Sequence, residues 1–228
     1  MSIPPGLPPN TMTALPSISG RHPDYKDDWM DIPRTKLYTN VFVWDEIERK
    51  ILLGYKKRGF GMGLYNGFGG KVESGETVSE AALRELKEES GISANIVHCG
   101  TLLFFAKGES CAHLVEVFRA TSFAGDPTES EEMRPDWYAL SLPDSDENSR
   151  TRKQDPFEEA AAIMSNDLPS IPFDHMWPDV PLWFPLMLSE KRFIGRVDFA
   201  KFKDDATGTL KDAMVKWWIG TITATSDS

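Results

Sequence analysis

The sequence predicts an α/β domain, on three observations. Two β-branched and aromatic stretches, Leu37–Trp44 and Lys50–Tyr55, lie on either side of a turn. A glycine-rich loop then leads into an amphipathic helix over Val78–Ser90, with a cap at each end. Far downstream, Phe193–Phe202 alternates apolar and polar residues at the period of a strand. The 228 residues are 40% hydrophobic, which allows one well-cored domain with tails and is too little chain for two large ones.

Met1–Arg34 carries proline and glycine breakers with no sustained period and reads as a disordered tail. From Lys36 the texture changes. Leu37–Trp44 is a strand, Asp45–Arg49 a turn and Lys50–Tyr55 a second strand. Lys56-Lys57-Arg58-Gly59-Phe60-Gly61-Met62-Gly63 is a basic loop whose glycines let backbone N–H groups approach a polyphosphate. Thr77 and Glu80 form a capping box, and Gly91 is placed to stop the helix.

The helix carries its acids in an unusual place. Val78, Ala81, Ala82 and Leu86 define its apolar stripe, yet Glu85 and Glu89 fall inside or beside that sector and Glu88 flanks it. Glutamates on a helix are ordinarily a solvated face. As a like-charged pair one turn apart, Glu85 and Glu89 repel, and burial would protonate them unless a cation sits among them. Arg84 supplies one charge. A hard divalent ion, Mg²⁺ or Mn²⁺ as its substitute, would supply the rest through oxygen ligands, and the absence of His and Cys among the acids disfavours zinc.

Ser141–Ser170 is a polar, charged insertion with a helix start at Asp155-Pro156. Thr209–Trp218 fits a strand or a short helix equally, and Thr221–Ser228 is a polar tail. A domain over residues 35–220 is therefore expected between two tails. The net charge of -10 opposes broad contact with nucleic-acid backbones. No apolar run is long enough to span a bilayer, and no signal or transit pattern opens the chain. Cys99 and Cys111 read as reduced thiols, so a soluble intracellular protein is expected.

Gly70, Glu76, Arg84-Glu85-Leu86, Glu88-Glu89 and Gly91-Ile92 match without a gap the signature of the Nudix hydrolases, which this chain resembles. KKRGFGMGLYNGFGGKV before the helix, ESEEMRP at Glu129–Pro135, and MWPD with WFPL within Met176–Leu186 resemble the animal oxidised-purine nucleoside triphosphatases of that family. The resemblance runs from about Leu37 to Trp217. It implies an α/β/α sandwich with a mixed, curved sheet, and Mg²⁺-dependent hydrolysis of oxidised purine nucleoside triphosphates such as 8-oxo-dGTP to monophosphate and pyrophosphate.

The same resemblance implies roles. Glu85, Glu88 and Glu89, with the Gly69–Gly70 backbone beside them, would hold the metal. One of these acids, or Glu132 outside the helix, would activate water. Arg84 would orient a signature glutamate through a bidentate pair, while Glu76 shapes the loop. Thr39, Lys56, Phe60, Asn66, Phe104, Trp177, Asp179, Trp183 and Phe199 match positions that line or border the base pocket. Trp177 would stack on a purine, and Asn66 and Asp179 would read its edge. Val180 stands where those enzymes place a second acid, Ala106 and His113 where aromatic and Met residues are usual, and Tyr65 in place of a Trp, so an altered or narrowed base preference is expected. Partners are then a small nucleotide substrate, no nucleic-acid polymer and no membrane, for a monomer in the cytoplasm and also the nucleus. The alternatives are another nucleoside diphosphate-linked substrate, or a catalytically silent nucleotide-binding module.

Overall fold

The computed structural model describes residues 3–8, 13–140, 168–203 and 210–223. In chain order these form β1 (Thr13–Arg21), β2 (Thr35–Asp45), β3 (Lys50–Lys56), β4 (Tyr65–Asn66), α1 (Val78–Ser90), β5 (Ser93–Ala106), β6 (Ala112–Ala124), β7 (Met133–Ala139), α2 (Val180–Leu188), β8 (Phe193–Lys203) and β9 (Leu210–Thr223). The strands make one nine-stranded mixed sheet in the order β1-β9-β8-β5-β6-β2-β3-β4, with β7 also paired to β3. The β2–β6 and β5–β8 pairs are parallel and the others antiparallel.

Side chains alternate cleanly between two apolar faces. Val41, Val43, Leu52, Phe118 and Ala120 meet Ala82 and Leu86 of α1. Their neighbours Phe42, Trp44, Ile51, Leu53 and Val117 meet Val180, Trp183, Phe184 and Met187 of α2. A strand covered on both faces reads as a continuous apolar run, which is why Val41–Trp44 shows no alternation in sequence. The two helices thus lie on opposite sides of the sheet, and the α/β/α sandwich expected from the sequence is the fold. β9 is a strand along its whole length, because β1 pairs with one edge of it and β8 with the other. The helix expected to begin at Asp155-Pro156 lies outside the described residues.

The N-terminal stretch is not the disordered tail that its breakers suggest. β1 pairs antiparallel with β9 from Thr13↔Thr223 to Arg21↔Lys216. Leu7 packs with Leu103, Phe105, Ile194 and Trp218, and Trp29, Met30 and Ile32 cover the same cluster. These apolar residues are scattered among prolines and glycines, so no period betrays them. They dock on a part of the sheet that neither helix covers.

A buried ion pair fastens the dock. Arg196 and Asp198 are both essentially inaccessible, and Nε and Nη2 of Arg196 donate to the two Asp198 oxygens at 2.8 and 3.0 Å. Arg196 Nη1 also donates to Pro5 O at 2.7 Å, and Nη2 to Met30 O, while the Met30 N–H donates to Asp198 at 2.9 Å. Each nitrogen of the guanidinium fork thereby meets an oxygen, which is what makes a buried pair tolerable. Two outcomes follow. Asp198→Ala is expected to lower stability by about 3–5 kcal/mol in urea denaturation, because it strands a buried cation. Deletion of residues 1–34 is expected to lower the thermal midpoint, whereas an inert tail would leave it unchanged.

Candidate active site

The helix at the centre of the site is fixed at both ends. Thr77 accepts from the Glu80 N–H and Glu80 returns the bond to the Thr77 N–H, and the Gly91 N–H, in left-handed backbone at φ 75°, donates to Lys87 O. Ala81, Ala82 and Leu86 anchor α1 on the sheet. The anchoring carries Glu89 inward with them, 4% exposed, while Glu85 is half-buried and Glu88 exposed.

Two protein cations organise these acids. Arg84 donates to both oxygens of Glu76, at 3.1 Å from Nε and 2.7 Å from Nη2, to Glu85 at 2.8 Å and to Glu88 at 3.4 Å. The bidentate partner of Arg84 is therefore Glu76, with Glu85 on the same fork. These bonds hold the Glu76 carboxyl below its usual range and the guanidinium above its own. On the other side Lys56 donates to Glu89 at 2.8 Å and to Glu132 at 3.1 Å. Burial pushes the Glu89 carboxyl up, against the pull of Lys56 and the Gly69 N–H, which donates to Glu89 at 2.8 Å. Glu132 is held low, first by Lys56 and then by Arg58, which donates to it at 3.0 Å.

Glu85, Glu88, Glu89, Glu132, Lys56, Arg58 and the Gly69–Gly70 backbone line one open groove of about 530 Å³. A Cβ at position 70 would stand 2.3 Å from Glu85 Oε1 and displace that carboxylate, so glycine there leaves Glu85 its place in the groove. Among the described residues no three acids converge as a ready-made metal cage. Their oxygens are turned instead to Arg84 and Lys56. The donor set, carboxylates and backbone carbonyls with no ring nitrogen or thiolate, fits a hard divalent cation.

A second cluster lies where α2's face of the sheet meets the Lys56–Gly63 loop. Phe60 is exposed and stacks on Trp177 at 5.1 Å, with its edge on His113 at 5.5 Å, and His113 in turn packs on Tyr38 at 4.7 Å. Phe104 and Phe199 lie 6.4 Å apart at the end of the same apolar face. Asp179 is buried at the start of α2. It makes no cap bond and accepts instead from Trp183 Nε1 at 2.8 Å. Asn66 accepts from Asn40 Nδ2 at 2.9 Å.

The structure sorts the expected residues differently from a single pocket. Lys56, expected beside the base, lies in the acidic groove, because β3 delivers it opposite Glu89. Thr39 is buried with its N–H donating to Gly70 O at 2.9 Å and backs the Gly69–Gly70 segment. Trp183 is 2% exposed and stacks on Phe193, so it packs the core and holds Asp179. Val180 is likewise core, at 1% exposure. Sequence reasoning passed over Asn40 and Tyr38, whereas Arg58 belongs to the basic loop expected at a polyphosphate and lines the groove. For Asn40 the signal was present, as one amide inside an otherwise apolar strand.

Asp179 gives the site a pH signature. Burial pushes its carboxyl up to about 6, opposed by the Trp183 bond. A carboxyl raised on folding binds its proton more tightly in the folded state. Its contribution is therefore complete below about pH 4, falls as pH rises to about 6, and is then a constant penalty of about 3 kcal/mol. Asp179→Asn keeps an oxygen for Trp183. It is expected to be more stable than the parent at pH 7.5 in urea denaturation, with the difference gone at pH 4.

Comparison with known proteins agrees with this geometry. The NUDIX domain model matches residues 34–169. The oxidized purine nucleoside triphosphate hydrolase of Danio rerio is 44% identical over 166 residues, covering 72% of this chain and 87% of that one. The enzyme of the same name from Mus musculus is 41% identical over 174 residues, covering 76% and 90%. A mutator MutT protein of Bacillus halodurans is 21% identical over 78% of this chain and 97% of its own, with a TM-score of 0.48, and the assignment does not rest on it. With a domain match over more than half its length and its acids gathered along one capped helix, this chain belongs to the Nudix hydrolase family.

Proposed function

We propose that this Nudix hydrolase cleaves oxidised purine nucleoside triphosphates, such as 8-oxo-dGTP, to the monophosphate and pyrophosphate, acting as a monomer in the cytoplasm and nucleus. Both relatives described above are named as hydrolases of oxidised purine nucleoside triphosphates. One observation carries the reading furthest. The Lys56–Gly63 loop serves both halves of the site, with Lys56 in the acidic groove and Phe60 on Trp177. They stand four positions apart, at most about 14 Å of chain. Phosphates in the groove and a base at Trp177 are therefore within reach of one nucleotide. Cys99 and Cys111 are free and buried, in keeping with a reducing compartment, and no helix among the described residues is long and apolar enough to cross a membrane.

The residues divide the work. Glu85, Glu88 and Glu89 with the Gly69–Gly70 backbone would hold Mg²⁺, or Mn²⁺ in its place, and a bound cation supplies charge neutralisation for the phosphates and for attacking water. Arg84 keeps Glu85 aimed while Glu76 anchors Arg84. Lys56 and Arg58 offer cations to phosphate oxygens from one wall. Glu132 at the rim and Glu89 at the floor are the two carboxylates offered for the proton of water. At the other end, Trp177 and Phe60 supply faces, and Asn66 and Asp179 supply polar groups. Crowded acids of this kind have no use in a silent binding module.

A second substrate reading is favoured by one observation, the apolar surroundings of Val180, which remove a second edge-reading acid. An undamaged triphosphate or another nucleoside diphosphate compound is the competing substrate. Pyrophosphate release with Mg²⁺ is expected for wild type, and Glu88→Gln and Glu89→Gln are each expected to lower kcat by roughly a hundredfold or more, with the fold intact by circular dichroism. A comparison of 8-oxo-dGTP, 2-hydroxy-dATP and dGTP tests the base. Hydrolysis of dGTP at the rate of 8-oxo-dGTP would defeat the oxidised-purine reading. Val180→Asp is expected to change the relative rates, and unchanged ratios would remove position 180 from base choice.

A further inference from the structure

We infer that Asn40 is a positioning residue for base recognition. It fixes the Asn66 amide with its oxygen inward and its NH₂ outward, which commits Asn66 to hydrogen-bond acceptors on the purine edge. The inference rests on the functional reading above, in which Asn66 meets the base. Asn40 is 9% exposed and lies in the middle of β2, on the same face as Phe42. Its Nδ2 donates to Asn66 Oδ1 at 2.9 Å, and the Gly67 N–H donates to the same oxygen at 2.9 Å.

A side-chain amide is ambiguous until a group of fixed identity touches it. The Gly67 N–H is such a group. A backbone nitrogen only donates, so the oxygen of Asn66 has to face it. With that oxygen set, the part of Asn40 that meets it has to be NH₂. The Gly67 N–H thus sets which way the two amides face, and the Asn40 NH₂, as a second donor on the same Asn66 oxygen, holds Asn66 against turning over.

The lock leaves a visible defect. Asn40 Oδ1 is buried with no donor. It lies against Gly67, where a Cβ would stand 2.4 Å away. A buried acceptor without a donor is destabilising, and turning Asn40 over would only set oxygen against oxygen. An aliphatic side chain of similar volume would avoid the defect. What Asn40 supplies in exchange is control of Asn66, whose NH₂ meets no acceptor among the described residues. A free Asn reads donors and acceptors alike by turning over, whereas a locked one only donates. The site then favours a purine that turns a carbonyl oxygen toward Asn66 over one that turns an amino group.

At position 6 of the purine, the position this reading sets against Asn66, 8-oxo-dGTP carries a carbonyl oxygen and 2-hydroxy-dATP an amino group. Asn40→Leu is expected to lower the ratio of their kcat/KM values by roughly tenfold, through KM with kcat retained. In an Asn66→Ala background the same substitution is expected to move the ratio by less than about twofold, because it acts through Asn66. An unchanged ratio in the single variant, or an equal drop in both backgrounds, overturns the inference. Side-chain amide NMR of the nucleotide-free protein tests the lock independently of what the enzyme hydrolyses. The Asn40 NH₂ is expected to exchange slowly and the Asn66 NH₂ fast, and fast exchange of both overturns it. Slow Asn40 exchange in a wild type that hydrolyses neither triphosphate would instead leave the lock standing and defeat the functional reading.

Discussion

The buried carboxylate of Glu89 is the constraint on which the rest of the site depends. It is the point where α1, the Gly69–Gly70 backbone and the end of β3 meet, through the Gly69 N–H and Lys56. A carboxylate removed from water needs such partners, and each partner here belongs to a different segment. Satisfying one buried charge therefore fixes three pieces of chain relative to each other. The groove, with Glu132 and Arg58 on its rim, is the surface those pieces leave behind.

Arg84 performs the same task one turn away, in a more solvated setting. Its fork binds Glu76 from the loop and Glu85 from the helix. Loop and helix are thus tied twice, once at the capping box and once at this fork. The two cations differ in kind. Arg84 is committed by several bonds in a planar geometry, whereas Lys56 presents a compact charge on a flexible stem between two acids. The first suits permanent bracing, and the second suits a charge that is shared with phosphate.

Much of this was legible before any coordinates. α1, with its capping box and Gly91, lies over the residues its caps and apolar stripe indicate, and Glu85 and Glu89 fall on the side their spacing implies. Local chemistry decides such features. The N-terminal dock was not legible, because Arg196 meets Pro5 and Met30 across most of the chain, and no local period records a contact of that range. The same limit misplaced Lys56. A basic glycine loop suggests phosphate, but which wall its lysine joins depends on the register of β3 against β7, which leaves Lys56 across from Met133, next to Glu132. Trp183 was expected beside a ligand and lies in the core because α2 turns that face toward Phe42 and Phe193.

The pairing of β1 with β9 also orders events in time. Thr13 finds its partner in Thr223, at the far end of the chain. During synthesis the first strand waits, unpaired, until β9 has been made. The guanidinium that receives Pro5 and Met30 is likewise translated late. Closure of the sheet is therefore a step of high contact order, and such steps are slow. The nascent chain presents its helix and acids before the partner strand of its N-terminal seal.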